Sequence, residues 1–208
     1  MASKVAPPPY VPLRARGWPS RRSPRWLLAA GAVLLVIGVA VGLAHRPTHS
    51  QRATDLRGFL STLTNEIGSC AAGVSESLTV LHAINTGASH ALGVAIGEAD
   101  YGAANCSPAN NELLDDLTSE DVPESLAGYH LQTVIPDLIT WAAPNAQRVM
   151  TDVATALTDH GTAAEAGDLA ALRVGLRKLD AQRSVIYSEL GPAIKALSPQ
   201  SALPVLPG

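Results

Sequence analysis

Apolar and polar positions along this chain change their pattern once, near residue 45. From Trp26 to Ala44 every residue is uncharged and either apolar or small. At about 1.5 Å of rise per residue, a helix over 26–44 reaches about 28 Å, close to the hydrocarbon thickness of a bilayer. Beyond it the pattern is helical. Leu56, Leu60, Leu63, Ile67, Cys70, Val74, Leu78, Leu81 and Ile84 recur in steps of three and four, which predicts one long helix with a single apolar stripe. Thr48-His49-Ser50-Gln51 opens it as a capping box, and Asn85-Thr86-Gly87 closes it. Gly58, Gly68 and Gly73 weigh against a straight course, because each costs about 1 kcal/mol relative to Ala.

Shorter elements follow. A helix is expected from Ser89 to about Ala104 with Leu92, Ala95, Ile96 and Ala99 inward. Ser107-Pro108 then reads as a cap and first-turn proline for a helix over 109–117 carrying Leu113, Leu114 and Leu117. Residues 118–130 read as a polar connection. Leu131 to Ala142 is helix-like but interrupted by Pro136, with Trp141 as a core anchor, and Pro144 begins a helix that ends at His160-Gly161. Thr162-Ala163-Ala164-Glu165 forms a second capping box before a last long helix. That helix is striped by Leu169, Leu172, Leu176, Leu179, Ile186, Leu190, Ile194 and Leu197. No segment alternates in the manner of a strand. The expected fold class is all-α: a single N-terminal transmembrane helix, then an extracytoplasmic helical bundle with two long helices packed together and several short ones.

The corresponding organisation is a disordered, basic, Pro-rich cytoplasmic tail (1–25), a transmembrane helix (26–44), and a juxtamembrane segment with the helix start (45–55). A helical bundle (56–197) and a flexible C-terminal tail (198–208) complete it. Lys4, Arg14, Arg16, Arg21, Arg22 and Arg25 precede the apolar run, and no acid occurs ahead of Asp55. Cationic flanks stay on the cytoplasmic side, so the N-terminus is expected inside and the C-terminus outside. The small residues Gly42-Leu43-Ala44 leave a second possibility open, secretion after signal cleavage near Ala44. Within the run, Gly38 and Gly42 match the small-x-x-x-small spacing through which membrane helices approach and pack.

Charge sharpens the contrast between the two parts. From Asp55 onward there are 18 acidic residues against 7 Lys and Arg, and none of the latter lies between Gly58 and Gln147. An acidic surface repels phosphate, so nucleic acid is excluded as a partner. The expected partners are the lipid bilayer, through 26–44, and a second copy of the chain or another envelope protein. Arg outnumbers Lys twelve to three and Ala is abundant, the bias of a GC-rich bacterial genome. The only two cysteines, Cys70 and Cys106, lie beyond the apolar run in an oxidising space. Paired, they close a loop of about 37 residues, worth about 3–4 kcal/mol by chain entropy. The competing reading is two buried thiols.

Motifs for catalysis are lacking. There is no Gly-x-Ser-x-Gly, Ser-x-x-Lys, Walker loop or His-Glu-x-x-His, and no Glu-x-x-His pair of the kind that builds di-iron bundles. His82, His90, His130 and His160 are not spaced as ligands; His160 is expected to complement a helix C-terminus. Glu112, Asp115 and Asp116 head the densest acidic group, continued by Glu120, Asp121 and Glu124. They are the weak candidates for a metal, against a solvated surface or a docking face for a basic partner. No cofactor is expected. The leading expectation is a single-pass, membrane-anchored envelope protein with an interaction or scaffolding ectodomain, and not an enzyme. The alternatives are a carrier of a small apolar ligand in a dry Leu- and Ala-lined cavity, and an envelope enzyme in which Glu112 or Asp137 converges with a His.

Overall fold

The computed structural model of the chain describes residues 46–87 and 91–208. The expected transmembrane helix, its Gly38 and Gly42, the basic tail and His90 lie outside the described residues. Those described from Pro47 on belong to one unit, and no strand occurs among them. Six α-helices follow in order: α1 (His49–Asn85), α2 (Leu92–Asn105), α3 (Glu112–Asp116), α4 (Val134–Thr140), α5 (Gln147–Thr158) and α6 (Glu165–Leu197).

α1 starts as its sequence dictates. The Thr48 hydroxyl accepts the Gln51 backbone N–H at 3.2 Å, one half of the expected capping box. It ends at Gly87, whose φ of +77° takes the left-handed position that side chains disfavour. Its three interior glycines do not interrupt it. By length and composition α1 is apolar enough to cross a membrane, a property core helices share, and its Leu56, Leu63 and Val74 are fully buried in the bundle.

The two long helices make their main contacts elsewhere than with each other. α2 lies against both α1 and α5, and α5 lies against α6. α1 and α6 do meet, His49 Nε2 lying 3.2 Å from Ala196 O, but the larger contacts run through the short helices, and the reason is steric. α1 and α2 meet at Gly73 and Gly102, where a Cβ built on Gly73 would stand 3.1 Å from the Gly102 Cα. The short, Ala- and Gly-rich α2 therefore fits close beside α1 and takes the central place.

Local expectations fail where long-range contacts outrank them. Leu92 and Leu113 are 37% and 40% exposed, because Ala95, Ala99 and Ala103, and Leu114 and Leu117, turn the buried faces of their segments inward instead. Ser107 does not cap a helix from 109. Its carbonyl accepts the N–H groups of Asn110 and Asn111 in a tight turn, and α3 begins only at Glu112. The connection over 118–130 is not merely polar loop: a 3-10 turn at Glu124–Tyr129 buries Leu126. Pro136 sits in the first turn of α4, where its missing N–H has no helical partner to lose. The chain breaks instead at Ala143, extended at φ −124° and ψ 117° ahead of Pro144, and α5 starts at Gln147. Trp141, beside that break, is fully buried as expected.

The final segment, 198–208, is not loose. Tyr187 Oη donates to Pro204 O at 2.7 Å and accepts the Leu206 N–H at 3.2 Å. Leu206 is 3% exposed. Burial of Leu206 and two hydrogen bonds hold the segment against the domain, where a flexible tail was expected.

Candidate functional site

Among the described residues Glu66 is the one charged side chain in the buried core, at 8% exposure. Its position follows from helical geometry. It stands three residues after Leu63 and four before Cys70, on the stripe that α1 turns inward. Segment 111–125 runs along the same side of α1. Asn111 Nδ2 donates to Ser69 Oγ at 3.0 Å near one end, and Ser125 Oγ donates to Asp55 Oδ2 at 2.6 Å near the other. Between these two ties the segment carries Asp116 and Glu120 to the neighbourhood of Glu66.

The electrostatics around Glu66 are one-sided. Glu66 Oε2 is buried and has no hydrogen-bond partner among the described residues. Burial raises the Glu66 pKa first, and the charges of Glu120 and then Asp116 raise it further. Glu120 and Asp121 also line a groove of about 340 Å³ with Val122, Ala127, Ile135 and Pro136, which Glu66 does not reach. Acid and apolar surface thus lie side by side.

Cys70 lies one turn from Glu66 on α1. Its sulfur is at disulfide-bonding distance from that of Cys106, with the two Cα atoms 4.7 Å apart. Both residues are fully buried. The pair ties α1 to the end of α2, and Asn111 Nδ2, donating also to Asn105 O at 2.6 Å, continues the tie into α3.

The metal candidates do not assemble. Glu112, Asp115 and Asp116 are exposed, and among the described residues no three His, Cys, Asp or Glu side chains are placed to hold a metal ion. In a five-residue helix they share a surface without converging on a point. The residue that matters beside them, Glu66, has a legible signal: a carboxylate on an otherwise apolar stripe.

Two further acidic junctions join helices. Gln182 Nε2 donates to Asp137 Oδ1 at 2.8 Å, and Thr133 Oγ1 donates to Glu189 Oε1 at 2.5 Å, linking α4 and its approach to α6. Burial raises the Glu189 pKa, the Thr133 hydroxyl opposes that shift, and the Asp137 carboxyl adds to it. Asp137 therefore meets Gln182 and Glu189 where an enzyme of the expected kind needs a His. At the α5–α6 junction His160 Nδ1 is 2.9 Å from Glu165 Oε1, and the Gly161 N–H donates to Glu165 Oε2 at 2.8 Å. The Gly161 N–H, then the His160 contact, lower the Glu165 pKa. Glu165 thus reaches back to Gly161 where the capping-box pattern pointed to Thr162, and His160 pairs with it where a helix carbonyl was expected. His82 and His130 are exposed.

A second, open groove of about 700 Å³ runs between α1 and the C-terminal segment. Arg57, Ser61, Thr64, Asn65, Ser69 and Ser201 contribute to its lining. That polar lining differs from the dry Leu and Ala surface that carriage of an apolar ligand requires.

Comparison of the chain with protein-family models, with curated proteins and with solved structures finds no match.

Proposed function

We propose that this chain is a single-pass membrane protein whose helical domain, beyond the apolar run 26–44, is an extracytoplasmic module that binds another envelope protein. The observation that carries the reading is the Cys70–Cys106 pair at disulfide distance inside that domain. A cross-link of this kind persists in an oxidising compartment. The apolar run and its basic leading flank supply a route there, and the acidic surface supplies a face for a basic partner.

The test is topological. With an epitope on the C-terminus, the chain is expected to stay in the membrane through alkaline extraction. Protease added to intact cells is expected to remove the epitope. Recovery in the cytosolic fraction, or an epitope cut only after the cells are opened, overturns the reading.

A further inference from the structure

We propose that the groove between α5 and α6, rimmed by Arg148 and Lys178, is the docking site for segment 112–116 of a second copy of this chain. The proposal names the partner of the interaction module and rests on that reading.

One glycine shapes the groove. A Cβ on Gly175 would stand 3.1 Å from Val149 Cγ2, so α5 and α6 approach there with no side chain of α6 between them. At that approach opens a groove of about 400 Å³, with Pro144, Ala171 and Val174 as apolar lining and Arg148 and Lys178 as its cations. Pro144, Ala171 and Val174 are all exposed. The single acid in the lining, Asp152, is held by Arg148 Nε at 2.8 Å, and its side chain is 12% exposed against 71% for that of Arg148. What the groove presents outward is therefore cation and hydrocarbon. The ion pairs among the described residues are Arg148–Asp152, His160–Glu165 and Arg183–Asp180. Lys178 and its exposed neighbour Arg177 accordingly have no acid of their own among the described residues.

Charge complementarity and a matching apolar residue identify the occupant. Eleven acids and no Lys or Arg lie between Gly58 and Gln147, whereas five of the seven Lys and Arg after Asp55 are on α6. In α3, Glu112, Asp115 and Asp116 are exposed together with Leu113. An apolar side chain among carboxylates is the counterpart of an apolar groove rimmed by cations. Leu113 of one copy meets Val174 and Ala171 of the next, and its flanking carboxylates reach Lys178 and Arg148. Every copy carries both surfaces. Copies anchored in one bilayer share an orientation and a raised effective concentration, so a contact of modest area suffices.

The test is a charge exchange in the full chain, labelled with donor or acceptor fluorophores and co-reconstituted in zwitterionic vesicles at low salt. Energy transfer reports association. Lys178→Glu and Asp116→Lys are each expected to weaken self-association about tenfold. Mixing the two variants is expected to restore it to within about threefold of the parent, because each surface then meets its complement. Lys195→Glu and Glu76→Lys make the same changes in net charge at exposed positions on α6 and α1, and are expected to alter association less than about twofold. All four substitutions fall on exposed side chains, and circular dichroism verifies that each variant folds. The proposal falls if the parent stays monomeric, if the two control variants weaken association as much as the site variants, or if mixing restores nothing. Any of these, with the epitope still exposed and membrane-held, removes this contact and leaves the anchored module standing; loss of the topology result removes the module itself.

Discussion

Gly73 and Gly102 meet where α1 crosses α2, and neither tolerates a side chain in the same way. A Cβ on Gly73 would stand 3.1 Å from the Gly102 Cα, against rigid backbone, whereas a Cβ on Gly102 would stand 2.8 Å from the Met150 sulfur. The cysteine pair lies one turn away on each helix, so the closest backbone approach and the covalent tie reinforce one another.

Alanine at Gly73 is therefore expected to lower stability by about 1–2 kcal/mol, overpacking exceeding the gain of about 1 kcal/mol in helix propensity. At Gly102 the clash falls on a flexible side chain, the Met150 thioether, so Gly102→Ala should cost less than Gly73→Ala. The exposed Gly58, with nothing within 4 Å of its missing Cβ, should gain up to about 1 kcal/mol on becoming Ala. Denaturant midpoints order the variants.

Without reductant, Cys70 and Cys106 should not react with a thiol reagent even in the unfolded chain; after reduction both should. A Cys70→Ser/Cys106→Ser chain is expected to lose about 3–4 kcal/mol, the entropy of the opened loop. Mass spectrometry and chemical unfolding measure the two.

The carboxylates predict opposite pH trends. Glu66 and Glu189 have raised pKa values, so the folded state holds their protons more tightly than the unfolded chain does. Their contribution is complete below the unfolded pKa and is lost as pH rises through the folded value. Glu66→Gln should add on the order of 1 kcal/mol at neutral pH and nothing in acid. Glu165 is lowered, so its contribution exists above the unfolded pKa and disappears as pH falls. Glu165→Gln should destabilise at neutral pH and converge with the parent in acid. Thermal unfolding across pH 3–8, a range of about five units around the carboxylate values, separates the two signs.

Tyr187 holds the C-terminal segment through one oxygen. Tyr187→Phe keeps the ring and removes both hydrogen bonds, at a cost of about 1–2 kcal/mol. The Leu206 amide, which donates to that oxygen, should lose its protection from hydrogen exchange while the amides of α1 keep theirs.

What the sequence determined by itself was periodic and local. Steps of three and four set the lengths of α1 and α6, Thr48 marked the start of α1, and Gly87 marked its end. A stripe reports which residues share a face, and so it foretold the burial of Leu63, Ile67 and Leu179 through helical repetition alone. It does not report what that face meets. Whether Gly73 breaks a helix or admits another, whether Leu92 or Ala95 faces inward, and whether Leu206 hangs free or docks were all decided by residues distant in the chain. Glu66 shows the division most clearly. Its place on the apolar stripe is written in the spacing from Leu63 to Cys70, but only segment 111–125, folded along α1, surrounds it with Asp116 and Glu120. Burial and the field of neighbouring charges depend on three-dimensional proximity, which helical spacing does not encode.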